Sequence, residues 1–194
     1  MTCWATGSPE RYSTLGVPLY RAALEGDWET AVKILSIDRN LARARISKMQ
    51  DTALHIAAAA RRNYFVKKLV NDFMTEDDVG LKNATNNTAL CLAAAAGTVE
   101  IAEILVGKNP ALPLMKGSKD MTPLHMAALL GHREMVWYLI TVTNLKELTE
   151  GERYMLLIAS ITSDLYGELP QLSSILVISS HSKLYLLFFS KDAK

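Results

Sequence analysis

The segment TPLHMAALLGHREMVWYLI, residues 122–140, combines a Thr-Pro dipeptide, a pair of alanines, a glycine and a second apolar run. The pattern recurs as TALHIAAAARRNYFVKKLV at residues 52–70 and as TALCLAAAAGTVEIAEILV at residues 88–106. A looser copy, VPLYRAALEGDWETAVKIL, occupies residues 17–35. All four copies share one leucine at the same position: Leu19, Leu54, Leu90 and Leu124. The steps of 35, 36 and 34 residues between these leucines are typical of stacked helical hairpins.

Each copy is predicted to form two short helices. In the second to fourth copies a threonine stands where an N-cap hydroxyl accepts a hydrogen bond from the helix backbone. Pro18 and Pro123 occupy the first helical position, which needs no N–H. The alanine-rich first helix lets neighbouring copies pack closely. Gly26, Gly97 and Gly131 end this helix because glycine readily adopts a left-handed conformation, and Arg61 takes their place in the second copy. The second helix carries apolar residues at helical spacing.

Together these residues resemble the ankyrin repeat, and the resemblance covers about residues 16–153. It implies an all-α fold, an ankyrin-repeat solenoid of stacked helix-turn-helix repeats joined by β-hairpin-like loops. More narrowly, LYRAALEGDWETAVKIL and LTEGERYMLLIASITSDLYGEL are similar to segments of the plant ankyrin-repeat family that carries a C-terminal membrane-spanning PGG domain. The residues that follow no longer resemble that domain.

The resemblance predicts a division of the chain into repeats and flanking segments. Residues 1–15 are predicted to be a flexible N-terminal segment, and residues 154–170 an incomplete fifth repeat in which Leu156 takes the place of Leu124. Pro170 interrupts that repeat where its second helix should continue. The last segment, residues 171–194, is a divergent apolar tail. The four full repeats are predicted at about 16–48, 49–84, 85–118 and 119–153.

Two departures from the repeat pattern are expected to affect local structure. Gln50, Asn86 and Asp120 stand where the family's hairpin usually has glycine, and of these Gln tolerates a positive φ least. The hairpin tip that contains Gln50 is therefore expected to be distorted. Cys91 replaces the motif histidine, so the threonine–histidine hydrogen bond that the resemblance implies is expected only in the second and fourth repeats. The structural motif residues are Thr52, His55, Thr88, Thr122 and His125.

The sequence predicts binding rather than catalysis. The histidines and the acidic residues near Glu25 are explained by helix capping and the helix dipole. No HExxH, GxSxG, phosphate-loop or CxxC pattern occurs, so we predict no enzyme activity, catalytic residue, metal site or cofactor. The 21 Lys and Arg residues against 20 Asp and Glu, without a basic block, argue against a nucleic-acid partner.

Another protein is the predicted partner, bound by the hairpin tips and the concave face of the solenoid. Met49, Met121, Leu129 and Leu130 are predicted to form an apolar strip flanked by Lys48 and Lys119, which suits a partner with an apolar centre and an acidic rim. The alternative is that these are scattered surface residues. The full set of predicted partner-binding residues is Glu25, Lys48, Met49, Asp51, Thr85, Asn87, Lys119, Met121, Leu129 and Leu130.

We predict a cytoplasmic protein, because the first residues lack a signal-peptide core and Cys3 and Cys91 are too few for a disulfide framework. The uncharged run 169–182 has 14 residues and is interrupted by serines, which is too short for a membrane span. The apolar runs of the tail are instead expected to cover the end of the solenoid or to contact a membrane. The resemblance implies plant stress or defence signalling; the alternative is the cytosolic part, or a truncated form, of a membrane-associated regulator.

Overall fold

A computed structural model of the chain describes residues 12–162. Four helix pairs follow one another in this range, and no strand occurs in it, which confirms the predicted all-α solenoid. A further helix, Glu150–Thr162, follows the fourth pair. We refer to the pairs as repeats 1 to 4, each with a first and a second helix: Val17–Glu25 and Trp28–Ile37, Ala53–Ala59 and Asn63–Phe73, Ala89–Ala96 and Val99–Lys108, and Pro123–Leu129 and Arg133–Val142.

The first helices pack side by side in chain order, and the second helices form a second layer that packs against them. Small residues permit this close approach, because the two central alanines of each first helix in repeats 2 to 4 are completely buried. The marker leucines lie between the two layers, and Leu19, Leu54, Leu90 and Leu124 are all buried. The sequence period therefore corresponds to one repeat, that is, one helix pair of the solenoid.

The turn between the two helices of a repeat is left-handed in every repeat. Gly26, Gly97 and Gly131 have φ values of 83°, 73° and 72°, and Arg61 takes φ 59° at the same position. In repeats 2 and 4 the following residue reaches back to the preceding repeat. Arg62 Nε donates to the Leu24 carbonyl at 2.8 Å, and His132 Nε2 donates to the Ala95 carbonyl at 2.8 Å.

The repeats are joined by tips that are closed at their base by a backbone hydrogen bond, and no paired strands occur in residues 12–162. These bonds run from Ile46 N–H to Asp51, from Asn83 N–H to Asn87 and from Gly117 N–H to Met121, at 2.8 to 3.0 Å. The first tip encloses one more residue than the other two. All three glycine-substituting residues, Gln50, Asn86 and Asp120, have positive φ, as does Lys119.

Helical segments lie at both ends of the described range. A π-helical turn, Tyr12–Gly16, precedes repeat 1 and includes residues of the predicted N-terminal segment. The helix Glu150–Thr162 begins before the predicted boundary at 154, because Thr149 caps its first turn. The predicted segments 1–11, 163–170 and 171–194 lie outside the described residues. None of the helices in residues 12–162 is long and apolar enough to cross a bilayer.

Candidate functional site

The threonine–histidine caps link one repeat to the next. His55 Nε2 lies 3.0 Å from the Asn87 carbonyl, and because a carbonyl only accepts, Nε2 carries the proton. Nδ1 then accepts from the Thr52 hydroxyl at 2.8 Å. The capping histidine is therefore saturated with hydrogen bonds and buried, and it is not placed to act as a catalytic base.

Repeat 4 has the same cap, whereas repeat 3 uses a different link. His125 Nε2 donates to the Glu152 carbonyl at 2.6 Å, and the Thr122 hydroxyl lies 2.7 Å from Nδ1. Cys91 Sγ accepts a 3.4 Å bond from Thr88 within its own repeat, and burial raises the pKa of this thiol. Asn87 supplies the link to the following repeat, since its Oδ1 accepts from the Ser118 N–H at 2.8 Å.

Two carboxylates, the buried Asp78 and the partly buried Glu152, connect neighbouring repeats. Asp78 Oδ1 accepts from Arg43 Nε at 2.5 Å, and Oδ2 accepts from the backbone N–H and hydroxyl of Thr75 at 2.7 and 2.8 Å. Although burial opposes ionisation, these donors lower the pKa of Asp78 to about 2. Glu152 Oε2 likewise accepts from the Thr149 backbone N–H, which caps the helix Glu150–Thr162. Its Oε1 lies 2.7 Å from Lys116 Nζ, and this contact and the Thr149 hydrogen bonds lower its pKa to about 2.

We expect the free energy of unfolding to fall as the pH is lowered below 6.5. Burial lowers the pKa of His55 below its ordinary value of 6.5, so the unfolded chain takes up this proton at a higher pH than the folded chain. Stability that is fully present above pH 6.5 is therefore lost as the pH falls through that value. Urea denaturation at a series of pH values measures the effect.

The matched variant for this prediction is His55→Cys, which copies the residue found in repeat 3 and should lose less stability over the same pH range. An unchanged pH dependence in the variant would contradict the assignment to His55. Below about pH 4 a separate loss, about 1 to 2 kcal/mol from Asp78, is expected in both proteins, because its folded pKa lies below the unfolded one.

A row of cations runs along the hairpin arms, with one directly before each of the three hairpin tips. Arg45 Nη1 donates to the Lys82 carbonyl, Lys82 Nζ donates to the Lys116 carbonyl at 2.7 Å, and Lys116 pairs with Glu152. Residues 45, 82 and 116 follow the period of the marker leucines. Our sequence reasoning missed this row, although the recurrence of basic residues at steps of 37 and 34 would have identified it.

The structure divides the predicted partner-binding residues into two groups. Asp51 and Asn87 have internal roles: Asp51 Oδ1 accepts from Asn83 Nδ2 at 2.8 Å, and Asn87 holds the Ser118 N–H. The exposed group is Glu25, Lys48, Met49, Thr85, Lys119, Leu129 and Leu130, and Met121 is partly buried.

The predicted apolar strip is divided between two places on the fold. Met49 lies on the first hairpin tip and Met121 just before the first helix of repeat 4, whereas Leu129 and Leu130 are at the end of that helix. The seven residues of this helix, about 10 Å in length, therefore separate Met121 from the two leucines. Any continuous apolar surface must run along the first helices.

The fold is a solenoid of helical repeats. Its helix pairs stack, its turns are left-handed, and its histidine caps contact the next repeat. A family model described as ankyrin repeats (3 copies) matches residues 59–149, so this part of the chain is similar to ankyrin repeats. Ankyrin repeats mediate binding to other proteins. The helix pair of repeat 1 lies outside the matched range.

Three relatives have similar segments. A rice (Oryza sativa subsp. japonica) protein named probable E3 ubiquitin-protein ligase XBOS31 is 33% identical over 60% of this chain and 25% of its own length. The ankyrin repeat and KH domain-containing protein mask-1 of Caenorhabditis elegans is 29% identical over 63% of this chain and 4% of its own. A homolog of transient receptor potential cation channel subfamily A member 1, from the same worm, is 30% identical over 63% and 10%. The chain spans a quarter or less of each relative.

Proposed function

We propose that this chain is a non-catalytic module that binds an apolar segment of another protein along its hairpin tips and first helices. The observation that supports this most directly is the exposure of large apolar side chains at these places. Met49 is 49% exposed, and Leu129 and Leu130 are 53% and 55% exposed. Burying such side chains against a partner is favourable, at about 25 cal/mol per Å² of apolar surface.

Charge adds a preference for acidic residues beside the apolar segment. Lys48 and Lys119 are exposed at the first and third tips, and Asp51, the acidic residue nearest Met49 in sequence, already binds Ser47 and Asn83. The cations Arg45 and Lys82 lie on the same hairpin arms. A partner with carboxylates at the edges of an apolar centre therefore complements this surface.

A peptide selection tests the proposed binding surface. Displayed twelve-residue peptides are selected on the full chain, and the dissociation constant of the strongest synthetic peptide is measured by fluorescence anisotropy. We expect an apolar centre with Asp or Glu at its edges. Met49→Ser and Leu130→Ser should each weaken binding about tenfold, as for a residue near the centre of an interface, and added salt should weaken it further.

The matched control is Ile37→Ser, because Ile37 is 70% exposed at the end of the second helix of repeat 1, away from the tips. Its dissociation constant should equal that of the unchanged protein. Equal binding by all three variants, with unchanged circular dichroism spectra, would support the alternative that the exposed apolar residues are scattered and carry no site.

The cellular process that we propose is plant stress or defence signalling, which rests on the resemblance to plant ankyrin-repeat proteins and is supported by the plant origin of one relative. The ligase activity in that relative's name is not transferred, since the matched segment is 25% of that protein. The alternative is a cytosolic part of a membrane-associated regulator. Flotation of the full chain with liposomes would support this alternative, because a free interaction module in solution has no need to bind lipid.

A further inference from the structure

The helix Glu150–Thr162 has one covered face and one exposed face. It packs on the first helix of repeat 4, where Leu156 and Ala159 are buried. On the opposite side Tyr154 is 53% exposed and Met155 is 57% exposed. Two adjacent large apolar side chains at this exposure also occur at Leu129 and Leu130, whereas most side chains of the first helices are buried.

The repeat register shows what this exposed face would normally contact. Met155 directly precedes Leu156, as Ala53, Ala89 and Pro123 precede the marker leucines of repeats 2 to 4. Those three residues are buried, and each lies in a first helix on which the next first helix stacks. Met155 therefore stands in a stacking position. Within residues 12–162, no helix packs against that side of Glu150–Thr162.

We propose that the tail segment Ile175–Phe189 of this same chain covers the exposed face at Tyr154 and Met155. The segment contains two apolar runs, ILVI at 175–178 and LYLLFF at 184–189, neither of which contains a charge. A proline is unfavourable inside a helix, so the sequence predicts no regular second helix of a fifth repeat across Pro170. The two runs therefore need another apolar surface, and the stacking face lies on the helix that precedes the tail in the sequence.

The length of the connection permits this contact. Twelve residues, 163–174, separate the end of the helix from the first apolar run, and such a connection spans up to about 40 Å. The helix has 13 residues and is about 20 Å long, so either run reaches any point on its face. A short connection also gives the tail an effective concentration in the millimolar range, which favours it over a second copy at micromolar concentration.

Methionine oxidation in the full chain tests the contact. Met155 and Met49 are similarly exposed on the described residues, at 57% and 49%, so they form a matched pair. With dilute hydrogen peroxide and peptide mass spectrometry, we expect Met155 to oxidise at least five times more slowly than Met49. In the full chain carrying Leu184→Asp and Leu187→Asp, the two rates should become equal. Ser182→Asp, which adds charge outside the apolar runs, should leave the protection intact.

Three outcomes would overturn the proposal. Met155 could oxidise as fast as Met49 in the unchanged chain, which would show that its face is open. Protection that disappears on dilution, together with a dimer in sedimentation, would assign the face to a second copy. Flotation of the full chain with phosphatidylcholine vesicles while Met155 stays reactive would assign the tail to the bilayer. Unchanged Met49 rates and circular dichroism verify that each variant is folded.

Discussion

We expect Leu90→Ala to lower the free energy of unfolding by about 2 to 5 kcal/mol. Leu90 is completely buried in the first helix of repeat 3, which is packed between the first helices of repeats 2 and 4. Truncation removes its contacts with both layers and leaves a cavity that rigid neighbouring helices fill only in part. Because repeats are stabilised by their neighbours, the loss in the central repeat weakens two interfaces. Urea denaturation gives the difference directly.

The control is Leu130→Ala, which removes the same atoms from a side chain that is 55% exposed and should change stability by less than about 0.5 kcal/mol. An unchanged midpoint for Leu90→Ala would show that the marker leucines are placed in the wrong register. A loss of equal size in both variants would indicate that the exposed end of the repeat 4 helix is covered in solution.

Periodicity made most of the fold predictable. One leucine per repeat was enough to align the repeats with one another, because every marker leucine is buried at the same position in its repeat. The register in turn predicted left-handed conformations at residues that are not glycine. Arg61, Gln50, Asn86 and Asp120 all adopt positive φ, since their positions in the repeat require it whatever the side chain. The packing of the repeats here outweighs the free-energy cost of a positive φ at a residue other than glycine.

The candidate site was less predictable because surface positions of a repeat are not fixed by its period. Their place on the hairpin tips predicted that Asp51 and Asn87 would be exposed binding residues. Each is instead held by a hydrogen bond to the next hairpin tip. Such hydrogen bonds depend on which residue lies at the matching position of the next repeat. In repeat 3, Asn87 makes the contact to the next repeat that a histidine makes in repeats 2 and 4 and that Cys91 does not make. The Arg43–Asp78 pair joins residues 35 apart for the same reason. Predicting contacts between repeats therefore requires comparing residues from two repeats at the same time.

A capping position in repeat 3 also could not be judged from the sequence. Thr98 is the N-cap of the second helix, but its hydroxyl makes no capping bond, and Oγ1 is buried without a partner among the described residues. Threonine is otherwise a favourable N-cap residue. The side chain is too short to reach the preceding repeat as Arg62 and His132 do, so this is a locally weak point of the solenoid.

Gly97→Ala should lower the free energy of unfolding by about 2 to 4 kcal/mol. Gly97 has φ 73°, and a left-handed conformation costs an alanine about 1 to 2 kcal/mol. A Cβ atom there would also lie 2.6 Å from His132 Nδ1. The imidazole cannot simply move away, because its Nε2 is held by the Ala95 carbonyl at 2.8 Å. Relieving the clash therefore breaks a hydrogen bond between repeats 3 and 4, and urea denaturation measures the combined loss.

Gly107→Ala separates this effect from the general consequence of replacing glycine. Gly107 lies inside the second helix of repeat 3, and a Cβ atom there meets nothing within 4 Å. Alanine is the better helix former, so this variant should gain about 0.5 to 1 kcal/mol. The two substitutions are chemically identical and ten residues apart, yet they should change stability in opposite directions. A gain in both would mean that the turn at residue 97 is not left-handed, and that His132 does not rest on it.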